Sequence, residues 1–274
     1  MNFRDLACKH LATYREDVLK VQKPGIFRYR GEDLEKGHIL PVAEREKNIL
    51  EQYRARFWAS DCSKVKLHQY FHHLSSSQAL CFNLFYPLLA ENQLDLFFDY
   101  LNVPIGEGVR KATFEKESDL EKAERRTSFD FYTLYNSANK IFVEVKYTED
   151  GFGAAENDTE HQEKFRKTYL PLLERSRFLA PICKEEAFFL SHYQILRNLV
   201  HITEESHVVL LFPSANEAVS KEANYARDHL LTEAGRERLR IILLEDFISF
   251  LEEMFSDGVL EGYYQSFREK YVPH

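Results

Sequence analysis

Two short runs of alternating aromatic and β-branched residues, joined by a polar turn, are the clearest pattern in the chain. The runs cover residues 128–135 and 141–147, and Asn and Ser dominate the segment between them, 136–139. Aromatic and β-branched residues favour strands, whereas Asn and Ser favour turns. The pattern therefore predicts a β-hairpin near the middle of the chain.

The register of this hairpin decides which side chains meet. If the turn is centred on Ser137, Asp130 falls directly opposite Glu144, and residues directly opposite each other share a face of the sheet. Lys146 lies on that face too, because side chains alternate along a strand. Burying such charges costs several kcal/mol unless they pair or bind a metal ion. A solvent-exposed charge pair on an edge hairpin is the simpler alternative.

Apolar periodicity along the rest of the chain predicts a mixture of helices and strands. Further strands are predicted at 109–117, 207–212 and 238–244, and 27–31 fits either a short strand or an exposed basic-aromatic loop. Predicted helices cover 3–21, 48–58, 78–101 with a kink at Pro87, 185–202, 216–231, 246–255 and 263–274, with one more broken by Pro171. The order predicts an α/β fold. Residues 1–70 are expected to form a helical N-terminal extension, and residues 71–274 the main domain.

Composition narrows the class of protein. The chain has 274 residues, of which 44% are hydrophobic and 29% charged, and these values are typical of a globular protein. No apolar run is long enough to cross a membrane, and the charged N-terminus does not fit a signal peptide. The four cysteines are widely spaced, which argues against a disulfide framework or zinc site. We therefore expect a cytoplasmic protein with no membrane partner.

The net charge of −8 argues against binding nucleic acid through bulk positive charge. It does not exclude an enzyme that binds DNA through a local basic groove. The charge therefore favours localised binding.

The hairpin residues carry a resemblance to a known superfamily. Asp130 followed by Glu144-Val145-Lys146 resembles the D…ExK signature of PD-(D/E)xK nucleases, although Phe129 stands where that signature usually has proline. Further blocks resemble a prokaryotic branch of the same superfamily, generally described as nucleases with little established biology. These blocks are Ser75-Ser76-Ser77-Gln78-Ala79, Phe82-Asn83-Leu84-Phe85, Thr127-Ser128-Phe129-Asp130, Glu144-Val145-Lys146-Tyr147-Thr148-Glu149 and Tyr193-Gln194-Ile195-Leu196-Arg197-Asn198.

The resemblance implies a restriction-endonuclease-like core, a mixed central sheet flanked by helices. It also implies Mg²⁺, with Mn²⁺ as a substitute, held by Asp130, Glu144 and the Val145 carbonyl. Lys146 would then orient or deprotonate the attacking water. Without metal, its ammonium should stay protonated between the two carboxylates. The expected activity is phosphodiester hydrolysis of nucleic acid, with DNA as the expected substrate.

Additional residues could complete this site, each with an ordinary structural role as the alternative. They are Gln78, Glu91, Glu115, Glu117 and Gln194. Arg125 and Arg126 precede the first strand of the hairpin and could grip a substrate phosphate, since Arg binds phosphate through two hydrogen bonds. They could equally offset nearby glutamates.

The biological setting stays open between defence or restriction and DNA repair, and a homodimer is compatible with the sequence. A rival hypothesis is a nuclease fold whose site is vestigial and which binds nucleic acid or a protein partner. A third hypothesis is a metal-dependent hydrolase with another substrate.

Overall fold

A computed structural model of the chain describes residues 2–122, 126–258 and 260–273. Its strands are β1 Gly25–Tyr29, β2 Glu32–Lys36, β3 Val109–Glu117, β4 Ser128–Tyr135, β5 Asn139–Val145, β6 Ser206–Phe212 and β7 Leu239–Leu243. Its α-helices are α1 Phe3–Asp17, α2 Glu51–Ala59, α3 Ser77–Ala90, α4 Asp95–Leu101, α5 Thr159–Lys164, α6 Leu170–Arg175, α7 Glu186–Ser191, α8 Tyr193–Leu199, α9 Glu217–Tyr225, α10 Glu233–Arg236, α11 Leu244–Met254 and α12 Tyr263–Tyr271.

A five-stranded mixed sheet with the order β3-β4-β5-β6-β7 forms the centre of the fold. β3, β4 and β5 pair antiparallel, whereas β5, β6 and β7 pair parallel. Phe131 pairs with Val143 and Leu134 with Lys140, which is the register of a turn centred on Ser137. The predicted hairpin and its register are therefore confirmed.

Both faces of this sheet are covered, as the continuous apolar sequence of β6 requires. One hydrophobic cluster joins Val143 and Val209 to residues of α1–α4, α11 and α12. A second cluster joins Phe142 and Val208, on the opposite face, to residues of α6–α9. The prediction of a mixed central sheet flanked by helices is confirmed.

The N-terminal segment contains a hairpin as well as helices. β1 and β2 pair antiparallel, so the short strand was the correct alternative for the 27–31 region, and its partner strand was not predicted. Leu11 of α1 and Tyr53 and Phe57 of α2 belong to the same hydrophobic cluster as the central sheet. This segment thus contributes to the main core.

The predicted helix over residues 78–101 is two helices, α3 and α4. Pro87 lies inside α3, and the chain turns only after Ala90, where Asn92 adopts a left-handed conformation with φ +55°. A proline removes the N–H that would bond to the carbonyl four residues earlier. That carbonyl belongs to Asn83, and the Tyr263 hydroxyl donates to it at 2.8 Å. The substitute bond explains why Pro87 does not end the helix.

No helix of the described ranges combines the length and the apolar character needed to span a bilayer.

Candidate active site

Asp130, Glu144 and Lys146 meet at one edge of the central sheet. Asp130 lies near the start of β4, Glu144 near the end of β5, and Lys146 directly after β5. Because β4 and β5 are antiparallel, the start of one adjoins the end of the other. One further step along their register puts Asp130 opposite Glu144. The structure therefore brings the three predicted residues together.

The partly buried Asp130 carboxylate accepts a hydrogen bond from the backbone just beyond the last paired residues of β4 and β5. Its Oδ2 accepts from the Val145 N–H at 2.7 Å. Burial, followed by the charges of Glu144 and Glu115, raises the pKa of Asp130 well above its usual value. The Val145 hydrogen bond and the Lys146 charge oppose this rise without cancelling it. The site thus disfavours the ionised form of Asp130 when no further cation is present.

Lys146 is held by two neighbours in a nearly closed environment. Its Nζ lies 3.0 Å from Glu144 Oε1 and donates to Gln194 Oε1 at 3.1 Å. Only 9% of the Lys146 and Glu144 side chains is exposed. Burial lowers the pKa of Lys146, but the charges of Glu144 and Glu149 outweigh it, and the pKa is raised to about 12. The ammonium is therefore protonated, as the sequence argument predicted.

Glu115 is a third carboxylate near this pair. It lies in β3 between residues paired with Phe131 and Phe129, which puts it beside Asp130. Its backbone has φ +50°, a strained left-handed conformation for a non-glycine residue in a strand. Burial raises the pKa of Glu115, and the Glu144 charge adds to that effect.

Two polar side chains hold the Glu115 carboxylate in place. Gln78, in the first turn of α3, donates to Oε1 at 2.6 Å, and Ser128 donates to Oε2 at 3.0 Å. Gln78 also donates to the Lys66 carbonyl and accepts from the His68 N–H. Gln78 and Glu115 were both named as candidates from the sequence. Glu115 lies at the site beside Asp130, and Gln78 lies there because it hydrogen-bonds to Glu115.

Glu91 and Glu117, also named as candidates, have other partners. Glu91 follows α3 and forms an ion pair with Arg56, and the Tyr53 hydroxyl donates to it at 2.9 Å. Glu117 pairs with Arg126 at 2.5 Å, and 57% of its side chain is exposed. Arg125 lies outside the described residues.

Sequence reasoning missed Ser128 and Glu149. Ser128 precedes Asp130 by two residues in one strand, so the alternation of side chains was a signal that could have found it. Glu149 folds back in the loop after β5, where its Oε2 accepts from the Tyr147 N–H at 2.5 Å. No pattern in the sequence indicates that return.

A comparison with protein families identifies the family of the chain. The family model described as "Restriction Endonuclease associating with ARP" matches residues 8–272. The chain belongs to this family. Searches of the curated proteins and of the solved structures gave no match. The family match includes the N-terminal helices and hairpin as well as the central sheet, and it supports a nuclease-type function.

The oxygen ligands of this site suit a hard divalent cation only in part. In the stretches that the structure describes, no group of three or more His, Cys, Asp or Glu side chains is arranged to hold a metal ion. Mg²⁺, however, usually keeps several waters and takes only one or two carboxylates from the protein. Asp130 and Glu144 supply such a pair, and a cation would oppose the burial and the charges of Glu144 and Glu115 that raise the pKa of Asp130. The chemistry of these two residues therefore fits Mg²⁺.

Proposed function

We propose that this chain is a metal-dependent nuclease of the PD-(D/E)xK type that hydrolyses phosphodiester bonds of DNA. The observation that carries the proposal is the meeting of Asp130, Glu144 and Lys146 at one sheet edge. A cluster of carboxylates whose charge is disfavoured, beside a protonated lysine, is typical of functional sites. The family description supports the same class of activity.

Asp130 and Glu144, with the Val145 carbonyl, would hold Mg²⁺, and Mn²⁺ would substitute for it. When bound, the metal ion would supply Lewis-acid activation of a water and neutralise charge on the phosphate. Glu115 stays close to Asp130 and adds negative charge, which favours a cation over neutral ligands. Gln78 and Ser128 keep Glu115 fixed, so the acidic cluster is preorganised.

Lys146 contributes a fixed positive charge. Its Nζ holds its proton, because Glu144 and Glu149 raise the pKa to about 12. A protonated ammonium stabilises the negative charge that develops on phosphate oxygens during hydrolysis. Gln194 Oε1 accepts a hydrogen bond from one N–H of the ammonium and so orients the remaining N–H groups. We propose that the main role of Lys146 is to stabilise this negative charge, rather than to deprotonate the attacking water.

We propose a restriction setting in the cytoplasm, with a protein partner. The family description names an association with ARP. The net charge of −8 opposes long-range attraction to DNA, so a partner that binds DNA would remedy a weakness of this chain.

A second candidate function is a nuclease fold that binds a partner without cutting DNA. Two observations favour it: Glu144 is already neutralised by Lys146, and the described residues hold no three-ligand group. The raised pKa of Asp130 also fits this function, because a site without activity does not need an ionised carboxylate.

Cleavage assays distinguish the two functions. Plasmid, linear duplex and single-stranded DNA would be incubated with Mg²⁺ or Mn²⁺ and wild type, Asp130→Ala or Lys146→Ala. Lys140→Ala is the matched control, because Lys140 lies at the opposite end of β5, about 20 Å from Lys146 at about 3.3 Å per residue. We expect metal-dependent cutting by wild type and Lys140→Ala, and its loss in the other two variants. The second function would be favoured if all four proteins cut DNA to the same trace level. It would also be favoured if wild type cut no DNA and bound no Mn²⁺ in calorimetry.

A further inference from the structure

A pocket opens directly beside the proposed catalytic lysine, between α5, α8 and the loop after β5. Its volume is about 310 Å³. Gln194 belongs both to the pocket wall and to the site, since it accepts from Lys146. Phe152, another wall residue, has its ring centre 5.5 Å from Lys146 Nζ. A molecule in this pocket would therefore lie next to the bond that the site cleaves.

The size of the pocket limits what it can hold. Ligand pockets in proteins span roughly 300–1,000 Å³, so this one lies at the small end. A double helix cannot enter it, whereas a single nucleotide can. Gly153 forms part of the wall with φ +92°, and its missing side chain leaves the backbone open to close approach.

The wall includes aromatic rings and a guanidinium group, and the His161 side chain is the most exposed of them at 30%. Tyr193 lies in the wall, with the His161 ring edge-on to it at 5.5 Å between centres. The Arg197 guanidinium carbon lies 5.1 Å from the centre of the Tyr193 ring. Aromatic rings and Arg planes are the surfaces on which proteins stack unpaired bases. The lining therefore suits a base better than it suits a sugar alone.

The polar groups of the wall suit both parts of a nucleotide. Lys164 and Arg197 lie in the lining and would attract a phosphate, whereas the Glu160 carboxylate would accept from the N–H groups of a base. Gln194 uses its Oε1 on Lys146, so its amide nitrogen remains as a donor in the lining. An acceptor and a donor on one wall can read the edge of a single base.

We infer that this pocket receives one unpaired nucleotide of a DNA strand, next to the bond to be cleaved. The inference rests on the proposed nuclease function and adds a substrate class to it. The preferred substrate has an unpaired or extruded base, such as a single strand or a junction, and is not a fully paired duplex. Extruding a base costs a few kcal/mol, least where the base is already unpaired.

The test is binding without cleavage. Fluorescence anisotropy in EDTA would compare a labelled single-stranded oligonucleotide with a fully paired blunt hairpin. The variant is Ala154→Trp, because Ala154 is an exposed residue of the pocket wall and an indole there would fill the pocket. Ala55→Trp is the matched control, since Ala55 is exposed on α2, which packs on the opposite face of the sheet.

We expect wild type and Ala55→Trp to bind the single strand about tenfold more tightly than the hairpin, since stacking one base is worth ~1–3 kcal/mol. Ala154→Trp should lose that preference and keep its affinity for the hairpin, with an unchanged melting temperature. Equal wild-type affinities for both DNAs, or an unchanged preference in Ala154→Trp, would overturn the inference.

The result separates this inference from the proposed function. A chain that prefers the single strand in EDTA but never cuts with Mg²⁺ would keep the pocket and lose the nuclease. A chain that cuts with Mg²⁺ but shows no preference would keep the nuclease and lose the pocket.

Discussion

At the scale of single residues, Asp130 is held where the fold disfavours its charge. Burial and the nearby Glu144 and Glu115 raise its pKa, while Val145 and Lys146 only partly compensate. Its folded-state pKa thus lies above the unfolded value of 3.8. Stability from this residue is fully present below that unfolded pKa and is lost as the pH rises through the folded pKa.

Replacing Asp130 by Asn should therefore stabilise the metal-free protein. Asn keeps an acceptor for the Val145 N–H but never ionises, so the free energy of unfolding should rise by about 1 kcal/mol at neutral pH. The gain over wild type should grow as the pH rises from about 4 to about 8. Urea unfolding in EDTA across this range measures it.

Asp119→Asn is the control for this prediction. The hydrogen bond from Lys116 lowers the pKa of Asp119, so removing its charge should bring no gain at neutral pH. If Asp130→Asn were no more stable relative to wild type at high pH than at low pH, the account of the acidic cluster would be wrong.

Local patterning predicted part of this cluster. Alternation and a turn centred on Ser137 were enough to bring Asp130, Glu144 and Lys146 together. Glu115 was only one candidate among several, because its position depends on a left-handed backbone that no residue type there announces. Gln194 comes from a helix far along the chain, and only tertiary packing brings it to Lys146.

At the scale of elements, a buried network fastens α8 to Glu121 and Thr127, which precede β4. The Glu121 side chain is fully buried, accepts from the Thr127 N–H at 3.0 Å and the Tyr169 hydroxyl at 3.1 Å, and lies 3.6 Å from Arg197. Arg197 Nε also donates to Thr127 Oγ1 at 3.0 Å. Because Gln194 is one turn earlier in α8, this network positions it at the site.

Arg197→Met should destabilise the protein by about 3 kcal/mol, because it leaves the Glu121 carboxylate buried without its cation. The double variant Glu121→Gln/Arg197→Met should recover much of that loss. Urea unfolding provides the measurement.

Arg126→Met serves as the comparison for this network. Its partner Glu117 is more than half exposed, so the change should stay within about 0.5 kcal/mol. Equal losses in Arg126→Met and Arg197→Met would contradict the role assigned to burial.

Element boundaries were harder to predict than elements. The prediction over 78–101 did not separate α3 from α4, and the signal for the break was Asn92, a residue type that tolerates the left-handed φ of +55° found there. Pro87 lies inside α3 and does not end it, since Tyr263 replaces the hydrogen bond that the proline removes. A residue 176 positions away along the chain cannot be recognised from a local window.

At the scale of the whole molecule, distant segments of the chain share buried polar contacts. The Lys270 side-chain nitrogen, on α12, is fully buried and donates to the Asn48 side chain at 2.8 Å and to its carbonyl. Asn83 of α3 donates to the same carbonyl at 2.9 Å. These bonds join the N-terminal segment, α3 and α12 into one unit.

The N-terminal segment and the central sheet should therefore unfold together. Trp58, the single tryptophan, lies in α2 and contacts Phe57 and Phe71. Its fluorescence reports on the N-terminal segment, whereas far-UV circular dichroism reports on the whole chain. Both signals should give the same urea midpoint, as expected of one cooperative unit.

The variant Trp58→Phe is the control, because it should lose the tryptophan fluorescence and so show that the signal comes from Trp58. Two separate midpoints in wild type would mean that residues 1–70 unfold independently of the main domain.

The strand order has a consequence for how copies of the chain meet. The two outer strands of the central sheet, β3 and β7, carry Arg110, Lys111, Lys116 and Arg240. Charged side chains on border strands disfavour pairing with a second strand, and the left-handed Glu115 also interrupts the regular backbone of β3. Two molecules therefore gain little by aligning these strands into one continuous sheet, and at high concentration the protein should resist the growth of fibrils from its own borders.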